Sequence, residues 1–275
     1  MTEPAKALGL LRWAGGKKWA TKYLGPAFHN YLSTGKQYVE PFLGSAAMAA
    51  YLGHHNAILT DVIPDLIEFY ECVQRDPARL AWALSVYATY GVDKAAYLQV
   101  RDDHPEDKLF RAARVVYLNR LSFNGLWRVN KSGKHNVPYR ESAIKRKSFE
   151  ALSQSLQGAD LACLDFAPVI GIAEPGALIY ADPPYHGVYD SYTAEGFSEF
   201  DQERLAMALW EAHTRGCKVV LHNSNTELIQ HLYSDWLTVV PVDERRSIAA
   251  DPSSRDHAKC VVATNDVELL GSLAC

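Results

Sequence analysis

The chain reads as an α/β protein in which a mostly parallel sheet, covered by helices, is interrupted once by a long helical insertion. Two observations predict this. Short apolar runs of the kind buried inside parallel sheets recur at Ala57-Ile58-Leu59-Thr60, Leu161-Ala162-Cys163-Leu164, Ala177-Leu178-Ile179-Tyr180 and Lys218-Val219-Val220-Leu221. Stretches with helical spacing separate them, and the longest such stretch lies between the Ala57 and Leu161 runs.

The elements follow in order. Tyr38-Val39 runs into Glu40-Pro41-Phe42-Leu43-Gly44, a small-residue helix is expected over Ser45 to Leu52, and the Ala57 run ends at Asp61, which together make a parallel βαβ unit. From Pro64 to about Asn119 apolar residues recur at three and four spacing, first through Leu66, Phe69, Tyr70 and Val73, later through Val115, Val116 and Leu118. Residues 122 to 140 carry Asn124-Gly125 and Ser132-Gly133 turn signals around short extended pieces, which predict a hairpin. Strand and helix alternate again after Ser148, with helices over Phe200 to Arg215 and near Thr226 to Tyr233, then late strands over Leu237 to Val242 and Ala258 to Thr264. The expected organisation is a core of residues 1–61 and 150–275 with an insertion at 62–149.

Composition sets limits. Hydrophobic residues at 48% and charged residues at 22% suit a globular protein and exclude a disordered one. No apolar run reaches the roughly 20 residues of a membrane span, so no membrane partner is expected. Met1 to Ala7 lacks the layout of a signal peptide. The five cysteines are scattered with no Cys-x-x-Cys pair, as expected of reduced thiols in a cytoplasmic protein. The net charge of -4 argues against a nucleic-acid partner, but its distribution argues for one. Arg128, Lys131, Lys134, Arg140, Lys145, Arg146 and Lys147 face Glu141 alone, and Lys6, Arg12, Lys17, Lys18 and Lys22 face Glu3 alone. Such patches fit phosphate contact at a defined face, or two solvated surface stretches.

Asp182-Pro183-Pro184-Tyr185 follows an apolar strand, at the carboxyl end where open α/β sheets place ligands. An exocyclic amine is a poor nucleophile because its lone pair is delocalised into the ring. Asp182 and the Pro183 carbonyl could accept both of its N–H bonds, favour a tetrahedral nitrogen and aim the lone pair. Two prolines stiffen the loop and donate no N–H to compete. Tyr185 offers a flat face to an extruded base. Gly44 allows close backbone approach to a ligand, and Asp61 ends the next strand where acidic residues bind ribose hydroxyls, or simply cap helices. Trp13-Ala14-Gly15-Gly16-Lys17-Lys18 combines an aromatic face, a sharp turn and cations. A dinucleotide glycine fingerprint and a Walker loop are both missing. His54-His55 lacks a third ligand, so no metal is expected, and His186 and His222 lie near strand ends where they could line a site.

The order Trp-Ala-Gly-Gly-Lys, Glu-Pro-Phe-x-Gly, Asp61, a long insertion and Asp-Pro-Pro-Tyr resembles the Dam-type (D12 class) DNA adenine N6-methyltransferases. The likeness continues through Leu118-Asn119-Arg120, Phe123 to Arg128, Asn136-Val137-Pro138 and Arg245-Arg246-Ser247-Ile248. It implies a Rossmann-like S-adenosylmethionine-dependent methyltransferase sheet of seven strands, the last antiparallel, with an inserted helical target-recognition domain. It implies transfer from S-adenosylmethionine to N6 of a flipped-out adenine in double-stranded DNA, by a monomer or weak dimer in a bacterial or phage-infected cytoplasm. By resemblance Trp13, Lys17, Asp61 and Asp182 are the main donor contacts, Phe42 and Gly44 flank the donor, and Asp165-Phe166 meet its adenine ring. Phe123 matches the aromatic that wedges beside the flipped base, Asn124 and Arg128 the base-reading or flank-reading residues, and Arg12 a phosphate contact.

Two positions depart from the family pattern. Ala46 stands where a second motif glycine is usual, which is expected to tighten the pocket and weaken donor affinity. Tyr139-Arg140-Glu141-Ser142 replaces the usual continuation after Pro138, which leaves a GATC target unsupported. Methylation of cytosine N4, methylation of RNA, and a DNA-binding protein without activity remain as alternatives.

Overall fold

The computed structural model describes residues 10–13, 16–130, 132–144, 148–188, 196–245 and 257–273. Arg246-Ser247-Ile248 of the family likeness and the following residues 249–256 lie outside the described residues, as do Ala14, Gly15 and Lys145 to Lys147.

Seven strands form one sheet: β1 (Tyr38–Glu40), β2 (Ala57–Asp61), β3 (Asp160–Cys163), β4 (Leu178–Ala181), β5 (Lys218–Ser224), β6 (Thr238–Arg245) and β7 (His257–Thr264), in the spatial order β3-β2-β1-β4-β5-β7-β6. The pairs β3–β2, β2–β1, β1–β4 and β4–β5 are parallel, while β7 runs antiparallel to both β5 and β6. The last strand is therefore the antiparallel one, and it lies inside the sheet between β5 and β6. Strand order reverses between β1 and β4, and a crevice opens at such a point beyond the carboxyl ends.

Period-two alternation divides the side chains between two cores. Tyr38, Leu178, Tyr180, Val220 and Val262 face one, with α1 (Lys18–Tyr23), α2 (Gly25–Leu32) and α3 (Ala47–Leu52). Val39, Ile179, Ala181, Val219, Leu221, Val261 and Ala263 face the other, against α9 (Phe166–Gly171), α10 (Glu199–Thr214) and α11 (Glu227–Tyr233). All of β4 is buried, as its unbroken apolar run requires.

The helical stretch after β2 resolves into α4 (Pro64–Arg75), α5 (Pro77–Thr89), α6 (Lys94–Asp102) and α7 (Lys108–Leu121), with α8 (Glu150–Ser155) before β3. Asp76, Asp93 and Asp107 accept from backbone N–H groups at the starts of α5, α6 and α7, which breaks the long periodic stretch into separate helices. Helix α7 is buried on nearly every side from Ala112 to Asn119. The first core continues without a break from β1 and α3 through α4, α5 and α7, so residues 62–149 share their apolar interior with the sheet domain. The expected hairpin at 122–140 is reduced to two isolated bridges, Ser122 with Tyr139 and Val129 with His135.

Candidate active site at the carboxyl edge of the sheet

Adjacent parallel strands bring Asp165 (after β3), Asp61 (end of β2), Glu40 (end of β1) and Asp182 (after β4) to one edge. Asp182-Pro183-Pro184-Tyr185 thus stands at the switch point between β1 and β4. The loop is held from behind by buried amides. Gln202 on α10 donates through Nε2 to the Pro184 carbonyl (2.9 Å), and its Oε1 accepts from Asn223 Nδ2 (2.9 Å). Asn223 Oδ1 accepts from the N–H groups of His186 (3.0 Å) and Ser224 (2.8 Å). The His186 ring lies 2.8 Å from Thr226 Oγ1 and 3.2 Å from Glu199 Oε1, which anchors the loop's far end to the starts of α10 and α11. None of the described residues donates to the Pro183 carbonyl.

Lys17 is buried and pairs with Asp182 (Nζ to Oδ1, 3.1 Å), while its ammonium also sits 4.8 Å from the centre of the Tyr185 ring. One cation therefore balances the Asp182 charge and fixes the neighbouring aromatic. The loop before it turns at Gly16, whose N–H donates to the Trp13 carbonyl (3.2 Å). Trp13 packs against Gly44, where a Cβ would lie 3.1 Å from Trp13 Cδ1, and where the backbone is left-handed (φ +46°). Glycine is required here for both reasons.

The Gly44 N–H donates to Asp61 Oδ2 (3.0 Å), the Ile63 N–H donates to Asp61 Oδ1 (3.2 Å), and Tyr70 donates to the Gly44 carbonyl (2.7 Å). Burial pushes the Asp61 carboxyl up to about 6 against these hydrogen bonds. Glu40 is pushed up to about 8, chiefly by burial and further by the Asp182 charge. Its Oε2 accepts from Tyr38 (2.8 Å) and from the Ala49 N–H (3.1 Å). Ala46 is fully buried and left-handed (φ +53°), a conformation that glycine adopts without strain.

Phe42, Phe166 and Phe197 form an aromatic cluster with centroids 5.4 to 5.9 Å apart, and the Arg204 guanidinium lies 4.8 Å from the Phe166 ring. Phe166 is buried within it, so its contacts are mainly with protein, whereas Asp165 caps α9 and pairs with Arg204 (2.9 Å). Sequence reasoning missed Phe197, Gln202 and Asn223. The polar run Asn223-Ser224-Asn225-Thr226 directly after an apolar strand was the available signal.

Phe123 and Asn124 stand on one short turn, Phe123–Gly125, with Arg128 three residues beyond it. Phe123 is exposed, Asn124 is left-handed (φ +53°) and accepts from Arg140 (2.9 Å), and Arg128 donates from Nε to Asn136 Oδ1 (2.7 Å) and from a terminal nitrogen to the Asn136 carbonyl (3.0 Å). Arg12 is exposed beside the same turn. Three of the four histidine candidates are structural. His54 and His55 bind the carbonyls of Lys36 and Gln157, and His222 is wholly buried between Trp19 and Tyr180, which holds its ring neutral. Among the described residues no group of three His, Cys, Asp or Glu side chains could hold a metal, and no helix is long and apolar enough to cross a membrane.

A sheet in the order 3-2-1-4-5-7-6, with one antiparallel strand and acidic residues at its parallel carboxyl ends, is a Rossmann-like methyltransferase fold. A family model for D12 class N6 adenine-specific DNA methyltransferases matches residues 13–248. The chain belongs to that family. It is 34% identical over 266 residues to a DNA N-6-adenine-methyltransferase of Escherichia phage P1, which covers 92% of this chain and 35% of that longer protein. It is 29% identical to the retron Ec67 DNA adenine methylase of Escherichia coli and 31% identical to the type II methyltransferase M1.LlaDCHI of Lactococcus lactis subsp. cremoris. These matches cover 93% and 92% of this chain, and 90% and 94% of the two relatives. The reaction is site-specific methylation of adenine in DNA, and methyl transfer in this family implies S-adenosylmethionine as the donor.

Proposed function

We propose that the carboxyl edge of β1, β2 and β4 binds S-adenosylmethionine, and that the Asp182 loop methylates N6 of an adenine swung out of double-stranded DNA held by residues 62–149. The observation that carries this reading is the Asp182-Pro183-Pro184-Tyr185 loop, fixed at the switch point with Lys17 on both its carboxylate and its ring. The donor set fits. Asp61 offers acceptors for ribose hydroxyls, Trp13 and Phe42 offer aromatic faces, and Gly44 lets the backbone pass close beside the Trp13 ring, where a Cβ would crowd the indole. When bound, S-adenosylmethionine supplies a methyl group made electrophilic by its sulfonium.

Everything else falls to the chain's own groups. Asp182 accepts one N6–H and the Pro183 carbonyl accepts the other, which draws the lone pair out of the ring and points it towards the donor. Gln202 and Asn223 keep both acceptors in place, and Tyr185 stacks on the base. After transfer a proton leaves N6 to Asp182 or to water. Phe123 fills the space left by the extruded base, Asn124 and Arg128 face base edges, and Arg12 meets phosphate. Free thiols at Cys72, Cys163 and Cys217 support a cytoplasmic setting.

Incubation with methyl-labelled S-adenosylmethionine and unmethylated duplex DNA, then digestion to nucleosides, tests the reading. Label is expected in N6-methyl-2′-deoxyadenosine; label in N4-methyl-2′-deoxycytidine would end the adenine assignment. Asp182→Ala is expected to abolish transfer while duplex binding persists, and normal turnover by that variant would remove the mechanism.

A further inference from the structure

Arg12, beside the donor-side Trp13, and the DNA-side turn 123–125 belong to opposite ends of the first half of the chain, yet one side chain bonds to both. Asn119, near the end of α7, is fully buried. Its Oδ1 accepts from the Arg12 N–H (2.8 Å), and its Nδ2 donates to the carbonyls of Arg12 (2.7 Å) and Gly125 (2.9 Å). The amide uses both of its donors and an acceptor across this junction. Arg120 adds a bond to the Leu10 carbonyl (2.6 Å). Gly125 is left-handed (φ +67°), and a Cβ there would run into the Arg12 Cβ, so Arg12 lies directly on the turn that displays Phe123 and Asn124.

The next residue carries the connection to the donor side. Trp13 stacks on Trp127, two residues beyond Gly125 (6.3 Å between centroids, 22° between planes), and it rests on Gly44, whose N–H is held by Asp61. A displacement of the turn moves the Gly125 carbonyl. The same Nδ2 then transmits that displacement to Arg12, and through Trp13 to the Gly44 loop. Buried polar groups leave such a junction little slack, because an amide pulled off its partners has no water to replace them.

We propose that Asn119 is a positioning residue that couples the DNA-facing turn to the donor-facing segment, so that occupation of either site strengthens binding at the other by the same factor. This rests on the donor and DNA sites proposed above. Calorimetric titration of S-adenosylhomocysteine into the full chain, alone and with a duplex carrying the mapped methylation site, measures that factor as a ratio of two affinities. The wild-type ratio is expected to be about 5-fold or more, the lower end of ordinary coupling. Asn119→Asp keeps the size and the acceptor but removes both donors, and its ratio is expected to fall towards one. Trp127→Leu keeps apolar volume but loses the stack, and an intermediate ratio is expected; it stands in if the Asn119 variant does not fold. A wild-type ratio of one overturns the proposal. So does a folded variant that weakens both affinities equally and keeps the wild-type ratio, since that is what a purely structural residue would do. Failure of the wild type to bind S-adenosylhomocysteine under either condition would instead overturn the donor site itself.

Discussion

Replacing Asn223 by alanine tests whether the catalytic loop depends on the amide relay behind it. The side chain is wholly buried, and its removal strands the Gln202 Oε1, the His186 N–H and the Ser224 N–H. Each buried polar group left without a partner costs about 1–3 kcal/mol. Gln202 keeps its bond to Pro184, and His186 sits near enough to the surface to recruit water, so the total should stay near about 2–4 kcal/mol. That is tolerable against the roughly 5–15 kcal/mol that holds a domain together. At about 2–4 °C per kcal/mol for a chain of this size, the midpoint of thermal unfolding should fall by about 5–15 °C. The catalytic effect should be larger than the stability effect suggests. The His186 backbone then loses its anchor, leaving only the ring contacts to Thr226 and Glu199, and misplacement by about 1 Å can cost about 100-fold in rate. The assay is steady-state methyl transfer well below the unfolding temperature, with kcat and the donor KM determined separately. A drop in kcat of about 10- to 100-fold with a donor KM within about 3-fold is expected. A kcat within 3-fold of wild type, in a variant whose melting point has fallen, would show that the prolines position the loop alone.

Two further outcomes follow from the same region. The folded state holds a proton on Glu40 at about 8, above its ordinary value near 4.5, so its contribution to stability is complete below about pH 4.5 and lost as pH rises through about 8. Glu40→Gln mimics the protonated carboxyl and should flatten that slope in denaturant titrations between pH 5 and 8; an unchanged slope would assign it to other groups. Ala46→Gly relieves a left-handed alanine worth about 1–2 kcal/mol. It also removes a buried methyl worth about 0.8 kcal/mol and loosens the unfolded chain by about 0.4–1 kcal/mol. Stability should therefore shift by less than about 1 kcal/mol, while the donor KM falls; a donor KM that rises would contradict the expected tightening of the pocket by Ala46.

Much of this enzyme is local and was legible as such. Apolar runs placed β1, β2 and β4 within a residue or two, because a strand buried on both faces must be continuously apolar. Strand β3 was also located, although it lies half-exposed at the sheet edge, and β5 runs three residues further, to Ser224, than its apolar run. The residue types of Asp182-Pro183-Pro184-Tyr185 suggested its chemistry, which stays a proposal, and its position after a strand said where it would stand. Helix starts in the insertion were less legible. Asp76, Asp93 and Asp107 are short polar residues like many others until their side chains are seen to accept from the backbone.

What the tertiary structure alone decided is which distant groups meet. Lys17 reaches Asp182, Gln202 reaches Pro184, and Asn119 reaches Arg12 across 107 residues, and no periodicity or propensity encodes such pairs. They arise from the strand order, which brings the carboxyl ends of β1 and β4 together, and from a core shared between the sheet and the insertion, which presses α7 against the amino-terminal segment. Residue identity determined what chemistry this chain can do. Packing decided which residues hold that chemistry in place, because the energy of a buried hydrogen bond depends on partners that only the folded chain supplies.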